Sequence, residues 1–215
     1  METTAILIDG GFYIKCAESR WGKKSPQDRA DELMKYCALH LNVDGHADRL
    51  YRIFYYSCPP YTGTLHHPIK GNVDMTKKPI YKWGTEFHAA LKNKRKVTLR
   101  LGELSAKGGA FTLRPESLKK LLNGSKTIEK LRSGDFVPIL EQKGVDMRIG
   151  LDISSMAHKQ QVNRMILISG DSDFIPAAKH ARREGIDFIL DSMGHNIKSA
   201  LNEHVDGRIT HIYDL

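Results

Sequence analysis

Met165-Ile-Leu-Ile168-Ser169-Gly170-Asp171-Ser172-Asp173 is the stretch whose reading decides the fold class. Four apolar residues stop at a serine, a glycine and two carboxylates. A short apolar run bounded by turn residues predicts a strand buried on both faces, the kind from which parallel sheets are built. The same pattern stands near the start of the chain, where Ala5-Ile-Leu-Ile8 runs into Asp9-Gly10-Gly11. Ahead of the later strand, Val145, Ile149, Ile153 and Met156 form a helical stripe over 145–159. Behind it a helix runs to about Glu184 with Gly185 as its stop, and Ile186–Leu190 forms a third strand. Strands alternating with helices predict an α/β fold around a mostly parallel sheet.

Working outward, Ser25 is a helix N-cap with Pro26 at the first helical position, and Ala30, Leu33, Met34, Cys37, Ala38 and Leu41 recur at helical spacing. Arg49–Ser57 is rich in aromatic and β-branched residues and predicts a strand, ended by Pro59-Pro60. A short helix over 196–204 and a strand over Arg208–Tyr213 follow the third strand. Between 59 and 135 the pattern weakens. The spacing there predicts a helix over 82–93 and a half-exposed strand from Lys96 to Leu104. Lys107-Gly108-Gly109 reads as a turn toward a hairpin partner at Gly109–Leu113. Residues 114–135 are basic, polar and punctuated by Gly and Ser, as in a surface segment with some mobility. The expectation is one domain over 1–215 with an insertion at about 59–135.

The chain has 215 residues, 40% of them hydrophobic, which suits one globular domain. No apolar run reaches the roughly 18 residues of a membrane helix. Met1–Asp9 lacks a basic leader segment. Cys16, Cys37 and Cys58 are odd in number and widely spaced, so they predict buried thiols rather than disulfides or a zinc ribbon. Together these features predict a cytoplasmic protein without a membrane partner. Lys and Arg number 33 against 25 Asp and Glu, a formal charge of +8 that suits a nucleic-acid partner.

Sites in open parallel sheets lie beyond the carboxyl ends of the strands. Asp9, Asp171 and Asp173 stand there, and Asp146 begins the helix that feeds the second acid-ended strand. Carboxylates gathered at one edge repel and raise each other's pKa, and a hard divalent cation, Mg²⁺ or Mn²⁺, relieves the conflict. Such an ion can also activate water against a phosphodiester and stabilise the leaving oxygen. Each acid has a plainer reading. Asp9 can end a strand, Asp171 or Asp173 can cap the next helix, and Asp146 and Asp152 can be solvated helical acids. Acids at two strand ends carry more weight than any one of them.

Three segments together resemble the NYN family, PIN-like metal-dependent ribonucleases, and within it the LabA-like branch. They are Ala5-Ile-Leu-Ile-Asp9-Gly-Gly-Phe-Tyr-Ile-Lys15, Lys143-Gly-Val-Asp146-Met-Arg-Ile-Gly-Leu-Asp152 and Ile166-Leu-Ile-Ser169-Gly-Asp171-Ser-Asp173-Phe-Ile-Pro176. The resemblance covers about 3–58 and 136–215. It implies a PIN-like three-layer fold with a central, mostly parallel sheet and an inserted subdomain. It further implies hydrolysis of single-stranded RNA by a Mg²⁺- or Mn²⁺-dependent ribonuclease. By motif, Asp9, Asp146, Asp171 and Asp173 are the catalytic and metal-binding acids. Ser169 and Ser172 position the loop or a water behind them, and Asp152 matches a recurrent family acid without an assigned role. One departure is clear: many relatives carry Asn three residues after the first Asp, where this chain has Phe12.

Lys92, Lys94, Arg95 and Lys96 form a cationic cluster suited to a phosphate backbone, or else a solvated face. Lys119, Lys120, Lys126, Lys130 and Arg132 offer a second basic path. Tyr55, Tyr56, Tyr61, Tyr81 and Trp83 are candidates for stacking on bases or for core packing. His66-His67 lacks a partner at metal spacing and reads as polar loop. Two other functions stay open at this point. One is a catalytically idle RNA-binding or regulatory module, and the other is a nuclease or phosphatase acting on DNA or small nucleotides.

Overall fold

Strands β1 (Thr3–Asp9) and β10 (Arg164–Ile168) pair in parallel through Thr4↔Arg164 to Ile8↔Ile168, and their cores are wholly buried. The computed structural model to which they belong describes residues 2–43, 46–196 and 202–213. In chain order β1 is followed by α1 (Gly10–Trp21), α2 (Pro26–Leu39), a small ribbon of β2 (Asn42–Val43) and β3 (His46–Ala47), and β4 (Arg49–Ser57). Next come β5 (Thr64–His67), β6 (Gly71–Asp74), α3 (Pro79–Lys92), β7 (Val97–Leu101), β8 (Glu103–Leu113) and α4 (Pro115–Leu122). β9 (Phe136–Lys143) and α5 (Val145–His158) lead into β10, and α6 (Ile175–Arg183), β11 (Asp187–Asp191) and β12 (Gly207–Arg208) complete the order. Among the described residues no helix is long and apolar enough to cross a membrane.

Six strands form a parallel central sheet in the order β12-β11-β10-β1-β4-β7. Alternation along each strand feeds two cores. Ala5, Leu7, Phe54, Met165 and Leu167 face α5 and α6, while Ile6, Ile8, Ile53, Ile166 and Ile168 face α1, α2 and α3. Helices therefore cover both faces, the α/β three-layer arrangement expected of the sequence. Each buried Leu or Ile contributes about 1.5–3 kcal/mol, which holds the register at the centre of the sheet. The three cysteines are buried and free.

A second, four-stranded sheet has the order β6-β5-β8-β9. It grows out of β7. Gly102 donates its N–H to the Ser57 carbonyl at 2.7 Å. A Cβ on Gly102 would lie 2.4 Å from the Lys143 carbonyl oxygen, so only glycine lets the chain pass from one sheet to the other. The stretch read as one strand from Lys96 to Leu104 is thus split at Gly102. The hairpin expected across residues 107–109 does not form. β8 is continuous through it and pairs antiparallel with β9, with a register shift between Ala106 and Phe111. Of residues 59–135, α3 and β7 belong to the central layers, and β5, β6 and β8 belong to the second sheet. Leu65, Val73 and Met75 are its buried core. His67 is a structural member of it: its Nδ1 accepts from the Ile69 and Lys70 amides, and its Nε2–H donates to the Ser133 carbonyl. Residues 114–135 are anchored by Asp135, which accepts from Lys126, Ser117 and the Arg132 amide. Those bonds hold its carboxyl below the usual carboxylate range.

At the C-terminal side the expected strand over 208–213 shrinks to Gly207–Arg208. The helix expected over 196–204 falls largely on residues 197–201, outside the described residues.

The start of α2 follows its sequence signals: Ser25 Oγ accepts from the Asp28 amide, and Pro26 is the first helical residue. Inside that helix Arg29 is fully buried and pairs with Glu32, which also meets Lys24 and the Tyr13 hydroxyl. Removing one partner of a buried pair leaves an uncompensated charge, which costs about 3–5 kcal/mol. Glu32→Ala is expected to lower unfolding free energy by about that much in urea melts, and Arg29→Met in the same background to restore a good part of it.

Candidate active site

Asp9 ends β1 and begins α1 in one step. Its backbone is extended, and its Oδ1 accepts the Phe12 amide at 3.1 Å, which caps the helix. The sequence reading treated Asp9-Gly10-Gly11 as a strand end and missed that a helix starts at once. Gly10 is required there: a Cβ would lie 2.6 Å from both the Tyr55 ring and the Tyr56 carbonyl oxygen. The helix consequently lies close against β4, and Asp9 is half-buried at the sheet edge.

On the neighbouring strand, Ile8↔Ile168 are register partners, so Ser169 stands level with Asp9, about 4.8 Å away across the sheet. Ser169 is fully buried, and its Oγ accepts the Asp171 amide at 3.2 Å. Asp171 in turn accepts the Asp173 amide at 3.0 Å and starts the short 3-10 turn Ser172–Phe174. Ser172 is half-buried in this turn, Asp171 is half-buried and Asp173 is exposed. Gly170 carries the Phe12 ring: a Cβ there would fall 2.8 Å from it. Phe12, at the position where relatives carry Asn, thus holds the loop by apolar contact.

Asp146 lies in the first turn of α5, after Gly144 in the left-handed conformation at φ 74°. It is exposed yet close to the other acids. Burial raises its carboxyl above the ordinary aspartate range, and Asp171 and Asp173 raise it further. The Asp9 carboxyl is raised as well, first by burial, then by the charges of Asp146 and Asp171 and against the pull of the Phe12 amide. The four acids singled out from the sequence therefore share one electrostatic neighbourhood at the C-terminal edge of the sheet. Among the described residues none of them pairs with a Lys or Arg. Among the same residues no three Asp, Glu, His or Cys side chains stand arranged to hold a metal ion, as Asp9 and Asp171 are each turned onto a backbone amide.

Asp152 lies outside this group. It takes a two-pronged pair with Arg100 at 2.9 and 3.0 Å and accepts the Tyr56 hydroxyl at 2.9 Å, tying α5 to β4 and β7. Residues 92–96 stand at the N-terminal end of β7, the far end of the sheet from the acids. Lys94 pairs with Asp31, Lys96 donates to the Leu50 carbonyl, and Lys92 and Arg95 are exposed. At about 3.3 Å per residue, the length of β4 and β7 keeps this cluster roughly 15 Å from the acidic edge. The aromatic candidates divide too. Tyr55 and Tyr56 are buried in the sheet, their hydroxyls donating to Gly10 O and Asp152, whereas Tyr61, Tyr81 and Trp83 line a cavity beside Gly10 and Gly11.

Sequence reasoning missed two features here. Gln142, at the end of β9, has its amide nitrogen 3.6 Å from where a Gly11 Cβ would stand, and Asp9 Oδ1 is 3.5 Å from the same point. Its place directly before Lys143-Gly-Val-Asp146 was the available signal. A third strand also ends in acid. Asp191, fully buried, accepts from the Tyr36 hydroxyl, from His40 Nε2 at 2.9 Å and from the Met193 amide. It binds α2 to the sheet and is not available to a ligand.

A parallel sheet between two helical layers, with carboxylates gathered at its C-terminal edge, is consistent with a PIN-like three-layer fold. The NYN domain family model matches residues 119–212, a span that includes Asp146, Ser169, Asp171 and Asp173, and the NYN family is a PIN-like nuclease family. Nuclease chemistry, a hydrolase activity, is what that family carries. A solved structure of a protein of unknown function from Vibrio parahaemolyticus is similar in fold. It has a TM-score of 0.51 and 16% identity over 97% of this chain and 91% of that chain. No curated protein matches the chain.

The raised carboxyl of Asp9 has a consequence for stability. A folded-state pKa above the unfolded value means that the ionised acid weighs against folding. The penalty is complete above the raised pKa and disappears as pH falls to the ordinary aspartate value. Asp9→Asn keeps a good N-cap and removes the charge. The metal-free variant is therefore expected to melt above the parent at pH 7 in EDTA, with the gap closing below about pH 4. Equal melting at both pH values would contradict this account of the site.

Proposed function

We propose that the chain is a divalent-metal-dependent ribonuclease of the LabA-like branch that cuts single-stranded RNA in the cytoplasm. The observation that carries the reading is a group of four acids without a cationic partner among the described residues, two of them raised by burial and further by the others' charge. The donor set fits Mg²⁺ or Mn²⁺, because hard carboxylate oxygens suit these ions and a bound cation removes the repulsion. Asp9, Asp146, Asp171 and Asp173 would hold it with their free carboxylate oxygens. When bound, the ion supplies Lewis acidity toward water and phosphate. The chain's own residues set the geometry. Ser169 and the Asp173 amide orient Asp171, the Phe12 amide orients Asp9, and Gly144 aims the first turn of α5 so that Asp146 faces them. Ser172 supports the loop from its turn.

Asp171→Asn keeps the turn-capping oxygen and loses the charge. It is expected to reduce cleavage of labelled RNA in Mn²⁺ by at least about 100-fold, the scale of losing one electrostatic stabiliser, with an unchanged circular-dichroism spectrum. Wild-type cleavage by the variant would remove Asp171 from the metal site. The apolar Phe12 in place of Asn favours a second reading, an RNA-binding module without turnover. In that case the parent binds RNA but does not cut it in Mn²⁺ or Mg²⁺.

For the RNA path, Lys15 on α1 borders the cavity beside Gly10 and Gly11, Lys143 directly precedes Gly144 and α5, and both are exposed. Lys92 and Arg95 at the far end contribute a long-range field that salt screens over about 10 Å at 0.1 M. In binding titrations against salt, Lys15→Ala and Lys143→Ala should each reduce the log–log slope by about 0.7, the value for one single-strand phosphate contact. The pair Lys92→Ala and Arg95→Ala should leave it nearly unchanged. The reverse pattern would move the path to the α3–β7 corner.

A further inference from the structure

Between α1, α3 and the second sheet lies a cavity of about 440 Å³, within the range of small-molecule sites. Gly10 and Gly11 form the wall it shares with the acidic edge, and Gln142 reaches both. Tyr61, Tyr81 and Trp83 line it with aromatic surface. Trp83 is rigid: its indole N–H donates to the Lys24 carbonyl at 2.9 Å and its ring stacks on Phe87 at 4.9 Å. Ile80, at the rim, is 72% exposed. Lys15 also borders the opening.

His88 brings a polar ring to this wall. His88 is only 9% exposed and lines the cavity, but it hydrogen-bonds to no described residue and its ring meets only Tyr55 and Phe87. Burial and the nearby Lys92 push the imidazole pKa below its ordinary value. At neutral pH it therefore presents one N–H donor and one bare nitrogen acceptor, the complement a heterocyclic base edge needs.

We propose that this cavity receives one nucleobase of the single-stranded RNA whose adjoining phosphate meets the acids across Gly10 and Gly11. This rests on the nuclease reading and adds to it a base-binding subsite built by the second sheet. The aromatic walls offer a π-face to any base, while His88 and the Gln142 amide address its edge. A lipid or an apolar peptide would leave both of those polar groups unsatisfied. A free metabolite without a phosphate would gain nothing from opening onto the acidic edge.

The experiment uses a fluorescein-labelled eight-nucleotide RNA in EDTA, with an abasic residue placed at each position in turn. One position is expected to weaken binding by about 10-fold when its base is removed, the scale of one base–aromatic stack. Ile80→Glu at the exposed rim and His88→Leu inside should each weaken binding of the intact RNA to a similar degree. Neither should affect the RNA already lacking that base. Because Ile80 is exposed, its variant stays informative if His88→Leu unfolds. Uniform small losses at every abasic position, or variants that bind as the parent does, overturn the subsite. If the parent then still cuts RNA in Mn²⁺, the nuclease reading survives that failure. If it neither binds nor cuts RNA, both fall together.

Discussion

Hydrophobic burial forces like charges together in this molecule. β1 and β10 are buried on both faces, and a slip of one residue would turn every apolar side chain to the wrong layer. Their register is therefore fixed at Ile8↔Ile168, and Asp9 and the 169–173 loop must be neighbours. Two carboxylates about 4 Å apart repel by about 1–4 kcal/mol at effective dielectrics of 80 to 20. Several buried Ile and Leu residues at about 1.5–3 kcal/mol each outweigh that. The acids accordingly accept raised pKa values rather than separate. A site that opposes the stability of its own fold is what ligand binding relieves, and natural proteins tolerate such conflict where function resides.

How much of this could be read from the residues depended on whether local pattern or distant contact decided the structure. The central strands were legible because they are buried on both faces and show unbroken apolar runs. β4 runs over Arg49–Ser57, as its aromatic and β-branched content indicates. α2 and α5 were legible from caps and stripes. β5, β6 and β9 were not. They are short or half-exposed, β9 contains Pro138, and the pairings of β5 and β9 with β8 join residues far apart in sequence. The acids were legible as a set because strand ends are predictable, but Asp152 and Asp191 show what strand ends do not reveal. Their partners Arg100, Tyr56, Tyr36 and His40 arrive from other elements. The place of the Lys92–Lys96 cluster was not legible for the same reason. Charge density is visible in sequence, whereas the end of the sheet at which it stands depends on the parallel direction of β7.

The second sheet changes what the acidic edge can contact. In a bare three-layer fold that edge opens directly to solvent. Here β7 crosses at Gly102 into β8, and β9 returns to Gly144 and α5, so the sheet is tied to the edge at both ends. Gln142 and the cavity wall are thereby placed beside Gly11 by the same backbone that places Asp146. The connection is short and carried by β pairing, which positions side chains more closely than a loop does.

Phe12 shows how the same edge can be held without a polar network. An amide at that position would have to satisfy its donors and acceptor among the acids, and each unmet hydrogen bond would cost about 1–3 kcal/mol. A phenyl ring needs only apolar contact. It finds it on Gly170, with its backbone amide still capping against Asp9 and its edge against His195. The contact explains why Gly170 stands between Ser169 and Asp171, since any side chain there would meet the ring at 2.8 Å and displace the loop. Apolar packing carries no charge for salt to screen. The placement of Asp171 relative to Asp9 is then set by shape, and the electrostatics of the edge are left to the acids and to whatever cation or phosphate they meet.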